Sequence, residues 1–274
     1  MNTAELSKIC RQVRRDIINM TANAGSGHPG GSLSAVELMT SVFHNHMRLD
    51  PKNPKWEDRD RFVLSKGHSA PCYYAVLASL GFIDRSEYAN FRQLHSILQG
   101  HPDCKKVPGV DASTGSLGQG CSIAVGMALG AKKLGKDTQV FTLLGDGECQ
   151  EGQIWEAVLF AAQQRLDNLV VFVDQNLEQL DGPVARVNNL ESFAEKFSAF
   201  HWNVLEVDGH DYAQLHDAIQ AAKVRNGAPT AIIMHTVKGK GCTFAEGKFN
   251  HHINVSQEQA EEAIAALEAL KEGR

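Results

Sequence analysis

The chain has 274 residues, 43% of them apolar and 22% charged, a composition typical of a soluble globular protein of one or two domains. A net charge of -5 gives no electrostatic case for nucleic acid. No apolar run approaches the ~20 residues a membrane span needs, and the N-terminus lacks the apolar core of a signal peptide. The six cysteines form no C-x-x-C pair, which argues against a zinc cage or disulfide framework and fits reduced thiols in a cytoplasm.

In chain order, Ile9, Val13, Ile17 and Met20 recur at three or four residues and share one face of a helix predicted over 4–22. A Gly-rich loop over 23–31 displays His28. Ser34 is placed to cap a helix over 35–47, with Glu37 in its first turn. A strand over 61–65 ends in Lys66-Gly67-His68-Ser69, and a helix runs through Tyr73 to Leu80. A short helix near 84–91 leads to the loop that holds His101. A second Gly-rich loop, 113–120, precedes a helix over 121–133, where Ala124, Gly126, Ala128, Gly130 and Ala131 let backbones approach closely. The apolar run 140–144 is followed by an amphipathic helix over 151–165 and a second apolar run, 169–173. Then come a helix near 190–199, a strand over 203–207, a helix over 211–225 and a strand over 230–234. Ser256 and Gln259 form a capping box for a final helix. This alternation predicts an α/β fold, a parallel central sheet with helices on both faces, in a single domain over 1–274. Ligands of such sheets sit at the carboxyl ends of the strands, here the turns after Ser65, Leu144, Val173 and Met234.

Two of those ends carry oxygen donors. The run 140–144 stops in Gly145-Asp146-Gly147, which sets one carboxylate between two residues without side chains. The run 169–173 stops in Asp174-Gln175-Asn176, one crossover helix later, the separation that adjacent parallel strands require. Most Gly-Asp-Gly triplets are plain turns. Paired with Asn176, however, Asp146 offers hard ligands too few for a complete cage. They suit a Mg²⁺ that fills its shell with water and phosphate oxygens, with Ca²⁺ as a substitute. His28, His68 and His101 each follow a glycine in a loop between elements. Their imidazoles can bond sugar or anionic oxygens and exchange protons near neutral pH. His44, His46, His95, His201 and His216 lie in or beside ordinary elements and read as structural. No histidine spacing matches a zinc site. Cys149, close behind the Gly-Asp-Gly turn, reads as a small buried filler rather than a nucleophile.

The stretch Gly145-Asp-Gly-Glu-Cys-Gln-Glu-Gly-Gln-Ile-Trp-Glu156 through Asp174-Gln-Asn176 and Asp181-Gly182 resembles the thiamine diphosphate motif of transketolases. The resemblance continues in Gly25-Ser-Gly-His-Pro-Gly-Gly31, Leu64-Ser-Lys-Gly-His-Ser69, Gly100-His-Pro102, Thr114-Gly-Ser-Leu-Gly-Gln-Gly120 and Lys238-Gly-Lys-Gly241, and covers nearly the whole chain. It implies that Asp146 and Asn176 bind Mg²⁺ with the backbone carbonyl of Glu178. It implies that Gly147 and His68 approach the diphosphate, and that Gly115 and Leu117 lie near the aminopyrimidine. His28, His101 and His251 would serve substrate hydroxyls and proton transfers. His251 is preferred to His252 because it better matches the family's Trp-His-Gly, although Asn250 stands for the Trp and His252 for the Gly. Ser116 stands where many full-length transketolases have Pro. Glu151 and Glu156 match acidic residues near the family's subunit interface.

Only the first domain of a transketolase is represented. The glutamate that promotes ylide formation, and most of the arginines that grip the sugar phosphate, belong to the second. The resemblance therefore implies the N-terminal subunit of a split transketolase. Such a subunit is active only with a C-terminal subunit, carrying the pyrimidine-binding and third domains, in an α2β2 assembly. It would move a two-carbon ketol unit from a ketose, a phosphate by default, to an aldose. A final helix running to Leu270 and ending in Lys271-Glu-Gly-Arg274 is the expected close of such a subunit. Two other readings are an α subunit of a 2-oxo acid dehydrogenase E1 component and a non-catalytic cofactor-binding subunit. The first would not be expected to carry the His28, His68 and His101 set. The complete set of motif residues argues against the second.

Overall fold

In the computed structural model, which describes residues 1–248 and 251–269, the two apolar runs lie side by side. The strands in chain order are β1 (Arg61–Leu64), β2 (Val140–Gly145) and β3 (Leu169–Gln175), then β4 (Glu178–Gln179) and β5 (Gly182–Pro183) of a small antiparallel hairpin, then β6 (Asn203–Asp208) and β7 (Thr230–His235). The main sheet has the order β1-β2-β3-β7-β6, and every pairing in it is parallel. Val140 stands opposite Leu169 and Gly145 opposite Asp174, so the β2 and β3 ends that carry Asp146 and Asn176 are neighbours. All five predicted strands are present.

The helices are α1 (Thr3–Ala24), α2 (Pro29–Leu33), α3 (Val36–Ser41), α4 (Ala70–Leu80), α5 (Gln119–Lys133), α6 (Gly152–Gln163), α7 (Val184–Val187), α8 (Phe193–Ala199), α9 (Tyr212–Ala222) and α10 (Gln257–Ala269). They cover both faces of the sheet. Phe62, Leu64, Phe141, Leu143, Val170, Phe172, Ile232 and Met234 share a core with residues of α1, α3, α4 and α9. Their strand neighbours Val63, Val140, Leu144, Val171, Val173, Ala231 and Ile233 share the other core, with α5, α6 and α8. A strand buried on both sides needs apolar residues at successive positions, which is why these runs are continuous rather than alternating. Among the described residues, no helix is long and apolar enough to cross a membrane. The predicted close at Lys271-Glu-Gly-Arg274 and the Asn250 position lie outside the described residues.

One predicted helix is broken. The segment expected over 35–47 begins earlier, at α2, where Pro29 occupies the first turn. The chain then changes direction at Ser34 and Ala35. It resumes as α3 and closes in a π-type turn over Val42–His46, sealed by the Met47 N–H to the Val42 carbonyl at 3.0 Å. Ser34 closes α2 rather than capping the start of α3, where Ala35 stands, and its hydroxyl meets the buried Asp174 carboxylate at 2.6 Å and the Gly31 carbonyl at 3.1 Å. The Asp174 bond takes the hydroxyl away from the expected cap role.

The small residues of α5 do different work at different positions. At Gly120 an added Cβ would lie 2.6 Å from the Ser65 Cα, because the helix start presses on the tip of β1; at Gly126 it would meet nothing within 4 Å. Gly120→Ala should therefore destabilise the chain by about 1–3 kcal/mol through overpacking. Gly126→Ala should stabilise it by roughly 0.5–1 kcal/mol through reduced unfolded-state freedom. Urea unfolding of the two variants checks the contrast.

Candidate active site

The carboxyl edge of the sheet is tied together by one carboxylate. Asp174, at the end of β3, is fully buried. Its Oδ2 accepts from the Lys66 ammonium just past β1, from Ser34 Oγ at 2.6 Å, and from Asn176 Nδ2 at 3.1 Å; its Oδ1 accepts from Thr236 Oγ1 just past β7. Lys66 Nζ also donates to the Gly31 carbonyl at 2.9 Å. Burial alone would raise the Asp174 pKa, but the Lys66 charge and these donors hold it below the usual carboxylate value. An ionised carboxylate only accepts, so the Asn176 amide must turn its NH₂ toward Asp174 and its Oδ1 away. That oxygen accepts the Glu178 N–H at 3.2 Å.

Asp146 meets Asn176 on this edge. Its Oδ2 accepts the Leu177 N–H at 2.6 Å, between Asn176 and Glu178, and its Oδ1 accepts the Gly147 N–H at 2.7 Å. Burial first, and Asp174 second, push the Asp146 carboxyl up to about 7, against those two N–H donors. The carboxylate is thus short of positive charge. Lys238, in the loop after β7, donates to the Glu178 carbonyl at 3.3 Å. Its pKa is lowered, mainly by burial. Glu148 closes the turn from the other side, accepting from Ser65 Oγ at 2.5 Å, Gly118 N–H at 2.9 Å and Gly145 N–H at 3.0 Å. Asp146, Asn176 and Glu178 therefore come together. At Gly147 the Cβ position is taken, because an added Cβ would lie 2.8 Å from that of Gln179.

The histidine loops converge beside this edge. The His28 ring centroid lies 5.5 Å from that of His68, 6.5 Å from His101, 5.2 Å from His251 and 4.9 Å from His252; His68 and His251 are 4.9 Å apart. His251 Nδ1 lies 3.4 Å from Lys238 Nζ, while His252 Nε2 lies 3.1 Å from Ser26 Oγ. Burial is the main cause that lowers His28 to about 3 and His251 to about 4, and it pushes His68 well down and His101 down too. These imidazoles are neutral at physiological pH, each with one N–H and one lone pair. Gly115, with a φ of 145°, packs on His101: an added Cβ would stand 3.0 Å from its Cγ. Leu117 is 37% exposed at the rim, and Glu151 and Glu156 are exposed.

In the sequence, Lys66, Asp174 and Lys238 stand within the quoted motifs without an assigned role, Ser34 reads as a cap, and Thr236 goes unnamed. Two signals were available: a lysine directly after the β1 run, and a carboxylate at the end of a strand buried on both faces. His252 also joins the cluster. Cys149 is fully buried and its thiol is pushed well up by burial, as befits a filler. His46 is buried, partnered in ring contact only by His216 among the described residues.

With this geometry in place, comparison with known proteins is informative. The transketolase thiamine diphosphate binding domain matches residues 5–268. The chain is 42% identical over 262 residues to the 6-deoxy-6-sulfo-D-fructose transketolase subunit of Clostridium sp. (strain MSTE9), covering 95% of this chain and 94% of the relative. It is 39% identical over 269 residues to an apulose-4-phosphate transketolase subunit of Actinobacillus succinogenes, covering 98% and 96%. Against the transketolase of Homo sapiens it is 39% identical over 97% of this chain but only 43% of that protein. The crystal structure of transketolase from Campylobacter jejuni superposes with a TM-score of 0.90 at 34% identity, over 97% of this chain and 43% of that one. The chain thus spans about two fifths of those long forms.

Two measurements test the electrostatics. Asp174→Asn leaves the buried Lys66 ammonium without its counter-charge and should cost about 3–5 kcal/mol in urea unfolding. The double variant Lys66→Met/Asp174→Leu should lose less than the sum of the single ones. The histidines give a pH signature. Unfolded imidazoles titrate near ~6.5, whereas folded His28 titrates at about 3 and His251 at about 4. On acidification the unfolded chain takes up protons the folded one refuses. Their contribution to stability is complete above the unfolded value and is lost as pH falls toward the folded values. Asp146, raised to about 7, works in the opposite direction, so the test is the difference between variants: between neutral pH and about pH 4, acidification should lower the unfolding midpoint less in His28→Asn than in the parent chain.

Proposed function

This chain belongs to the transketolase thiamine diphosphate-binding family, and we propose that it works as the N-terminal subunit of a two-subunit transketolase. The observation that carries this reading is the match to relatives named as transketolase subunits across 94% and 96% of their lengths. The fold and the Asp146–Asn176 edge agree with it. Such a subunit moves a two-carbon ketol unit from a ketose to an aldose, and it does so only beside a C-terminal partner. One domain over 1–274, an α2β2 assembly and a cytoplasmic setting complete the proposal. All six cysteines are free thiols, which supports a reducing compartment.

The residues present fit a divalent cation and a diphosphate. Asp146 supplies a buried carboxylate short of positive charge, Asn176 an amide oxygen whose direction Asp174 dictates, and Glu178 a backbone carbonyl. These hard oxygens suit Mg²⁺, or Ca²⁺ in its place, with diphosphate oxygens completing the shell. Among the described residues, no three His, Cys, Asp or Glu side chains form a metal cage of their own. His68, Gly147 and Asn176 would hold the diphosphate, with the Lys238 ammonium beside them. Gly115 and Leu117 stand toward the aminopyrimidine. When bound, thiamine diphosphate supplies the electron sink for breaking the sugar's carbon–carbon bond.

The chain's own contribution is orientation and hydrogen bonding. His28 and His101 are neutral, so each can donate to one sugar oxygen and accept from another hydroxyl without a change of charge; His251, whose Nδ1 faces the Lys238 ammonium, can donate through Nε2–H. His28 Nδ1 is buried with no partner among the described residues. His251 is preferred over His252 because it also meets His68 and Lys238.

Mixing this chain with the C-terminal transketolase subunit, thiamine diphosphate and Mg²⁺ should yield ketol transfer from a ketose phosphate, and neither polypeptide by itself should. Transfer by this chain alone would sink the proposal. In the mixture, His101→Ala should lower kcat on the order of 100-fold while calorimetric cofactor binding stays largely intact. Asp146→Ala should abolish the Mg²⁺ dependence of that binding.

A further inference from the structure

The histidine cluster has two differently charged ends. At one, His68 and His251 feel Lys66 and Lys238. Both of those cations are satisfied, Lys66 by Asp174 and Gly31, Lys238 by Glu178 and His251. At the other end the cation is Arg92, whose charge reaches His28 and His101. Arg92 forms no ion pair among the described residues, and its Nη1 is buried without a hydrogen-bond partner.

The backbone sets this cation in place. Arg92 has a φ of 63°, a conformation side-chain-bearing residues rarely adopt, and its N–H is bonded to the Leu98 carbonyl at 2.8 Å. The guanidinium stacks on Gly100. An added Cβ there would lie 3.0 Å from Cζ, 3.2 Å from Nη1 and 3.3 Å from Nη2 of Arg92. The glycine of the Gly100-His101 pair thus makes room for Arg92, so one loop places both the arginine and His101. The residue is half-buried with its Cζ 6.0 Å from the Phe91 ring centroid, and its one buried nitrogen, Nη1, has no hydrogen-bond partner among the described residues, which is costly to keep. Held rigidly beside neutral imidazoles, it is organised in advance for an oxygen ligand.

We propose that Arg92 is a substrate-contacting residue, its guanidinium donating to an oxygen of the sugar at the end of the histidine cluster away from Asp146 and Lys238. The proposal rests on the transketolase reading above. The ligand chemistry is a sugar oxygen acceptor, supplied either by a hydroxyl or by a phosphate.

The test uses the two-subunit complex carrying Arg92→Met or Arg92→Lys, assayed with a phosphorylated ketose and with its unphosphorylated counterpart. Thiamine diphosphate binding and assembly of the complex are measured in parallel. Arg92→Met should lower kcat/KM on the order of 10- to 100-fold, the scale of a charge-assisted hydrogen bond. Arg92→Lys should recover part of it, and cofactor affinity should not change. Equal losses on both sugars assign a hydroxyl; a loss confined to the phosphorylated one assigns its phosphate. Unchanged kcat/KM on both sugars would overturn the proposal. So would a loss fully explained by weaker cofactor binding or by weaker assembly, the latter marking Arg92 as a partner for the other subunit's carboxylate. A wild-type complex with no transfer would instead strike the transketolase reading beneath it.

Discussion

The buried ion pair between Lys66 and Asp174 is the constraint on which the carboxyl edge of the sheet depends. Its members come from the ends of β1 and β3 and are separated by β2, so the pair bridges over the turn that carries Asp146. Ser34 joins it from the break between α2 and α3, and Thr236 from the end of β7. Four separate segments are thereby fixed around one carboxylate. A buried ion pair is weak evidence for stability, because desolvation consumes most of the attraction. Here its value is geometric: it holds the Asn176 amide in one orientation, and Asn176 with Leu177 places Asp146.

From this anchor the site grades outward in charge. Next to the pair lie Asp146, pushed up by burial, and Lys238, pushed down by it. Beyond them come imidazoles that burial keeps neutral, and beyond those Arg92. A site with neutral donors in its middle and cations at its ends is suited to a ligand whose middle is polyhydroxylated. The acidic groups stay at the Asp146 end, where an added divalent cation would compensate them.

The strands were legible because a strand buried on both faces needs an uninterrupted apolar run, and 140–144 and 169–173 stand out on that ground alone. Asp146 and Asn176 were legible from position, as oxygen donors at neighbouring strand ends, and the three loop histidines from their shared Gly-His form. What could not be read was tertiary. Lys66 and Asp174 meet across 108 positions of sequence, and Ser34 and Asp174 across 140. Nothing local distinguishes Ser34 from an N-cap until Asp174 takes its hydroxyl. Arg92 escaped notice for a similar reason: its left-handed backbone and the space given by Gly100 exist only in the fold. The choice of His251 over His252 rested on a partial motif, and the structure brings both rings to His28.

The central claim is that Asp174 shapes a half-site whose cation is held by Asp146, the Asn176 amide oxygen and the Glu178 carbonyl. Anomalous scattering from a crystal of the two-subunit complex grown with thiamine diphosphate and Mn²⁺ tests it most directly. The account predicts a single anomalous peak within bonding distance of those three oxygens. A peak elsewhere, with Asp146 still bonded only to the Gly147 and Leu177 N–H groups, would contradict it.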